Sequence, residues 1–73
     1  MVKSQNVDMN LLDQAIEKSG LRISFIVDKL GVSRQAFDKK RKGMIAFRGS
    51  EMYVLSDLLN LSEEESKHIF FPN

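Results

Sequence analysis

The chain has 73 residues, no cysteine and a formal net charge of +1 at neutral pH. This length is enough for one small domain, and the lack of thiols excludes disulfide bridges and thiolate metal sites. No apolar run approaches the roughly 18 residues that a bilayer-spanning helix needs, and the first residues lack a secretory signal pattern, so we expect a cytoplasmic protein without membrane contact.

Helix signals predict an all-α chain of five helices in a single domain, residues 8–71, preceded by a flexible arm, residues 1–7. The first helix is expected from about Asp8 to Ser19, with Gly20 at its end. Apolar residues at helical spacing form the side of this helix that faces the core: Met9, Leu12 and Ile16.

The next segment contains two short helices about a tight turn. Apolar residues of the first one fall at i, i+3, i+4 and i+7: Ile23, Ile26, Val27 and Leu30. Gly31 suits the left-handed end of that helix, and Ser33 suits the N-cap of the following one, on which Phe37 faces inward. This arrangement, with a basic second helix, is typical of a helix-turn-helix at about residues 23–42.

A loop and two further helices follow. The loop covers residues 43–49, and its apolar side chains Ile45 and Phe47 are expected to point inward. The fourth helix is expected from about Ser50 to Leu59. The fifth begins at Ser62, whose hydroxyl and the glutamate three residues later form a capping box.

Charge is distributed unevenly along the chain. Residues 34–48 contain six cations and one acid, whereas residues 50–73 contain five acids and one lysine. A basic face opposite an acidic end orients a molecule in the field of a polyanion such as DNA. The cations also suit the C-terminal end of a helix dipole, so a solvated helix end is the alternative interpretation.

The string LGVSRQAF, followed by a basic stretch and Gly43, resembles the Xre family of lambda-repressor-like domains, which includes phage repressors and Cro proteins. The similarity extends over residues 9–71. It implies a compact five-helix domain that binds operator DNA as a transcriptional regulator of phage or mobile-element origin. Three positions depart from the family pattern: Ile23 stands where a glutamine usually contacts a phosphate, Val27 where a small residue is usual, and Lys40 where an apolar residue is frequent.

The predicted recognition helix, residues 33–42, supplies most candidate contacts to double-stranded DNA. Its N-terminal and outward positions are predicted to reach base edges: Ser33, Arg34, Gln35, Asp38 and Lys39. Cations in and around it are predicted to bind phosphates: Lys29, Lys40, Arg41, Lys42 and Arg48. Because one short helix reads few bases, we expect a homodimer on DNA.

Three phenylalanines are candidates for self-association: Phe25, Phe70 and Phe71. Phe25 lies opposite the apolar stripe of its helix, where either the N-terminal arm or a second copy of the chain would cover it. For the aromatic C-terminus, we favour folding back onto the small core over a dimer interface.

Catalysis and cofactor binding have little support in the sequence. His68 is the only histidine, and the consecutive acids Glu63, Glu64 and Glu65 point in different directions around a helix. We therefore expect no enzymatic activity, no metal or other cofactor and no small-molecule ligand. The alternative to DNA binding is a protein-interaction module on the same fold, such as an antitoxin-like or antirepressor subunit.

Overall fold

The computed structural model describes residues 7–72, which form five α-helices and no strand. In chain order the helices are α1 (Met9–Ser19), α2 (Ile23–Leu30), α3 (Arg34–Arg41), α4 (Gly49–Leu58) and α5 (Glu63–Phe70). The prediction of an all-α chain with five helices is confirmed for this part of the sequence. Val7 packs against the core, and the rest of the predicted arm lies outside the described residues.

Short polar side chains begin three of the helices. Asp8 accepts a hydrogen bond from the backbone N–H three residues later at 3.1 Å, and Ser33 does the same at the start of α3 at 3.0 Å. Ser62 and Glu65 form the predicted capping box, in which each side chain accepts the other residue's backbone N–H, at 3.1 and 2.8 Å. These bonds satisfy amides that have no partner inside their own helix, so they fix where each helix begins.

All five helices share one apolar core. Its buried members are Leu12, Ile16, Ile26, Phe37, Phe47, Leu55, Leu59, Ile69 and Phe70. Three of the rings meet edge to face, with the Phe47 centroid 6.3 Å from that of Phe37 and 6.0 Å from that of Phe70. Because these rings come from α3, the α3–α4 loop and α5, they fix the inner side of α3 against the rest of the molecule.

Contacts between helices define the arrangement around this core. α2 packs against both α3 and α4, and α1 packs against α5. The backbone N–H of Asp8 donates to the carbonyl of Ile69 at 2.7 Å, and the Ser66 hydroxyl donates to that of Ser56 at 2.7 Å. The radius of gyration is 11.4 Å, close to the value of about 11 Å for a compact chain of this length. None of the helices in residues 7–72 is long and apolar enough to cross a membrane.

The α3–α4 loop differs from the prediction at one side chain. Phe47 is buried as expected, but Ile45 is 42% exposed. Gly43 has a φ of 81°, and the N–H of Met44 donates to the carbonyl of Lys39 at 2.9 Å. This turn keeps the loop at the surface until Phe47 enters the core, so the inward position predicted for Ile45 is wrong.

The phenylalanines considered for self-association lie in different environments. Phe70 is only 2% exposed and belongs to the ring cluster of the core, so the favoured prediction that it folds back onto the core is confirmed. Its prediction as a self-association residue is wrong, because a buried ring has no surface to offer a second copy. Phe71 and Phe25 are 63% and 42% exposed. The ammonium group of Lys29 lies 5.4 Å from the Phe25 ring centroid, a distance that allows a cation–π contact.

Candidate nucleic-acid interface

Backbone hydrogen bonds close the turn between α2 and α3. Gly31 has a φ of 74°, and its N–H donates to the carbonyls of Val27 at 2.9 Å and Asp28 at 3.2 Å. A side chain would be strained at this φ, so glycine is the residue suited to end α2 here. Val32 is half-buried against the core, and Ser33 caps α3. The turn therefore sets the direction in which α3 leaves α2.

α3 has one buried side and one exposed side. Phe37 is fully buried, whereas Gln35, Lys39 and Lys42 are exposed and follow one another at i, i+4 and i+7. Arg34 lies beside this stripe with 60% of its side chain exposed. Amide, ammonium and guanidinium groups thus line the outer side of the helix from its first turn to its C-cap.

An ion-pair network lies at the edge of this exposed side. Arg34 Nε donates to Asp38 Oδ1 at 3.4 Å, and Asp38 Oδ1 lies 3.8 Å from Arg41 Nη1. Arg41 also donates to Asp13 of α1, from Nε at 3.2 Å and Nη2 at 2.9 Å, while its guanidinium lies 5.5 Å from the Phe37 ring centroid. The network therefore connects the first turn of α3 to α1.

Arg41 was among the predicted phosphate contacts, and the structure gives it a different environment. Two carboxylates and an aromatic ring surround its guanidinium, and only 27% of its side chain is exposed. A phosphate would have to compete with Asp13 for the same donors. In this conformation Arg41 joins α3 to α1.

Lys40 is corrected as a phosphate contact because it is buried. Its residue exposure is 6%, its Nζ lies 3.1 Å from Glu51 Oε1, and the same ammonium donates to the carbonyl of Ala46 at 3.1 Å. Glu51 Oε1 also accepts the backbone N–H of Arg48 at 2.9 Å, at the start of α4. Lys40 follows Phe37 by three residues and shares its inner side, so it ties α3 to the loop and to α4.

The cations that stay exposed are fewer than the sequence suggested. Lys39, Lys42 and Arg48 are exposed and form no ion pair with any residue between 7 and 72. Lys29 is exposed on α2, above Phe25. Three acids offset part of the basic segment: Asp13, Asp38 and Glu51. Of these three, only Asp38 was counted against the cations in the sequence analysis, because Asp13 and Glu51 lie in other helices.

Other candidate sites are less developed. The described residues hold no cluster of three or more histidine, cysteine or acidic side chains that would suit a metal ion. A cleft of about 570 Å³ opens between α1 and α5, with a mixed lining that includes Leu11, Lys18, Asn60, Glu65 and His68.

The chain matches no protein-family model, no curated protein and no solved structure.

Proposed function

We propose that the protein is a sequence-specific, double-stranded-DNA-binding transcriptional regulator in which α2, the turn and α3 act as a helix-turn-helix. The observation that carries the proposal is the exposed side of α3. Gln35, Lys39 and Lys42 follow one another along it, with Arg34 alongside and Phe37 anchoring the opposite side in the core. A helix held in this way presents several hydrogen-bonding side chains to the major groove at once.

The side chains of α3 divide by chemistry into base readers and backbone contacts. Arg34 is suited to the O6 and N7 atoms of guanine, and Gln35 to N6 and N7 of adenine. Lys39 is the remaining base-edge candidate on the exposed stripe. The Ser33 hydroxyl oxygen accepts a hydrogen bond from the backbone N–H of Ala36, and its own hydrogen is able to donate to a phosphate or a base.

The phosphate contacts come from the rim of this surface. Lys42 ends α3, Arg48 precedes α4, and both are exposed without an ion pair among residues 7–72. Lys29 adds a third cation on α2. Such contacts fix the register of a protein on a duplex without reading its sequence.

The resemblance of LGVSRQAF to the Xre family supports the same proposal and extends it to a cytoplasmic repressor or Cro-like protein of a phage or mobile element. The buried Lys40–Glu51 pair supplies a physical reason for one departure from the family pattern, because the charge at that position has a partner inside the molecule. Catalysis forms no part of the proposal.

Selection of binding sites from random duplex DNA tests the proposed function. The purified protein is expected to enrich one motif, and an inverted repeat in that motif would report binding by two copies. A variant with Arg34→Ala and Gln35→Ala serves as the matched control, since both side chains are exposed and their removal is expected to change stability little. Enrichment of no motif by the wild type at moderate salt would contradict sequence-specific binding.

A protein-interaction module is the second candidate. Large apolar or aromatic side chains exposed outside α3 favour it: Phe25, Met44, Tyr53 and Phe71. They are separated along the chain, and the same selection experiment distinguishes the two functions. A module of this kind would bind duplexes only weakly, through its cations, and would enrich no motif.

A further inference from the structure

Asp38 is the one acid on α3, and it lies at the edge of the surface proposed to meet a polyanion. A carboxylate there repels phosphates, so its presence weakens binding to any duplex. Its oxygen Oδ1 is instead turned toward Arg34, whose Nε donates to it at 3.4 Å. Both side chains stay accessible, at 60% exposure for Arg34 and 41% for Asp38.

The nitrogen that Asp38 engages decides what Arg34 can still bind. A guanidinium has five N–H donors in a fixed planar fork. With Nε–H directed at Asp38, the two terminal nitrogens Nη1 and Nη2 form no hydrogen bond with residues 7–72. A pair of terminal N–H groups in one plane matches the O6 and N7 acceptors of guanine in the major groove.

Asp38 is itself held in place by Arg41, which is anchored to the rest of the molecule. Arg41 Nη1 lies 3.8 Å from Asp38 Oδ1, and Arg41 is fixed by two hydrogen bonds to Asp13 on α1 and by its position over Phe37. The carboxylate is thus flanked by two guanidinium groups, one exposed and one held. This arrangement limits the directions in which the exposed guanidinium points.

We propose that Asp38 is a positioning residue that makes Arg34 selective for guanine and lowers affinity for duplexes in general. This inference rests on the proposed function, and it assigns Asp38 a role through Arg34 instead of a base contact of its own. It predicts that removal of the carboxylate lowers the preference for guanine and raises the affinity for a random duplex. A purely electrostatic role would raise the affinity for all duplexes and leave the preference for guanine unchanged.

The test measures dissociation constants for the selected site, for the same site with the guanine replaced, and for a random duplex. For Asp38→Asn we expect the preference for guanine to fall about two- to fivefold, the worth of an exposed ion pair, while affinity for the random duplex rises. Asp57→Asn is the matched control, since it removes the same charge from an exposed position on α4. It is expected to leave the preference for guanine unchanged.

Two further variants distinguish a positioning role from a general softening of α3 and from a direct contact between Asp38 and a base. Asp38→Glu keeps a carboxylate and is expected to retain more of the preference than Asp38→Asn, an order that a general softening of α3 would not produce. In an Arg34→Ala background, Asp38→Asn is expected to have no effect on the preference. If it lowers the preference equally in that background, Asp38 contacts a base itself and the inference is overturned.

The remaining outcomes separate the inference from the proposed function. An enriched wild-type motif whose guanine preference survives Asp38→Asn overturns the positioning role and leaves DNA recognition standing. If the enriched motif contains no guanine whose preference is lost in Arg34→Ala, the positioning role is likewise overturned and DNA recognition still stands. Failure of the wild type to enrich any motif overturns both.

Discussion

Gln35 and Lys42 lie on the same exposed stripe of α3, but their side chains suit different parts of a duplex. The amide of Gln35 is able to donate and accept in one plane, as base edges require, whereas the ammonium of Lys42 is a point charge that suits phosphate. Gln35→Ala is expected to cost about 1 to 3 kcal/mol on the preferred site and to leave the salt dependence unchanged. Lys42→Ala is expected to weaken binding to all duplexes and to flatten the logarithmic salt slope by about one unit.

Titrations of the preferred and random duplexes at several salt concentrations measure both effects. Melting temperatures serve as the control, because both residues are exposed and neither substitution is expected to change stability by more than about 0.5 kcal/mol. An equal loss on all sequences for Gln35→Ala would show that α3 does not read bases through this residue.

Asp13 accepts hydrogen bonds from Arg41 Nε and Nη2, the donors that Arg41 would offer to a phosphate if the protein binds DNA as proposed. Asp13→Asn removes the competing charge, so Arg41 is expected to become a phosphate contact. Affinity for all duplexes should then rise, and the logarithmic salt slope should steepen by about 0.9. Because both side chains are partly exposed to solvent, the Arg41–Asp13 ion pair contributes little to stability, and Asp13→Asn should lower the free energy of unfolding by about 1 kcal/mol or less.

Asp57→Asn is the control for the change in net charge, because Asp57 is exposed on α4 and pairs with no cation in residues 7–72. A gain in affinity of the same size in both variants would mean that overall charge, and not release of Arg41, explains the result. A salt slope unchanged by Asp13→Asn would have the same meaning.

At the scale of helices, the Lys40–Glu51 pair joins α3 to the start of α4. Both side chains are less than one tenth exposed, so removal of one partner leaves an uncompensated buried charge. Lys40→Met is expected to lower the free energy of unfolding by about 3 to 5 kcal/mol, measured by urea denaturation. This would be a large part of the stability of so small a domain.

The double variant Lys40→Met with Glu51→Gln tests that explanation. Glutamine keeps a side-chain oxygen that accepts the Arg48 N–H, and no buried charge is left without a partner. The double variant is therefore expected to be more stable than Lys40→Met alone. If it is less stable, the pair does not act as a buried charge pair.

The helices themselves were predictable because their signals are local. Asp8, Ser33 and Ser62 cap the helices that they were expected to begin, and Gly20 and Gly31 have the positive φ that ends a helix. These features depend on neighbours within four residues, which a sequence shows directly.

The partners of the charged side chains were not predictable in the same way. Arg41 and Asp13 are 28 positions apart, and nothing in the local pattern relates them. Lys40 was predicted to contact a phosphate, although its i+3 spacing from Phe37 places it on the inner side of α3. Its ion pair with Glu51, eleven positions away, is visible only in the structure. The count of cations in residues 34–48 therefore overstated the number of cations that are exposed and unpaired within residues 7–72.

For the molecule as a whole, exposed cations are concentrated on and beside α3, whereas three consecutive exposed acids begin α5. Such separation of charge favours approach to a polyanion with α3 leading. It does not supply the number of base contacts that a specific site needs, since α3 has only eight residues. Association of two copies on one duplex is the expected solution.

We predict that two chains bind one selected site, with half-sites about 34 Å apart along the duplex. Phe25 and Phe71 are the exposed aromatic residues that were predicted for self-association and stay available, so Phe25→Ser or Phe71→Ser is expected to weaken binding to the full site more than to an isolated half-site. Tyr53→Ser is the matched control, because Tyr53 is an exposed aromatic residue on α4. Sedimentation of the protein on its selected duplex gives the number of bound chains. Saturation at one chain per site would contradict dimer binding and leave recognition to a single copy. Equal effects of all three substitutions would show that Phe25 and Phe71 do not form the contact between the two copies.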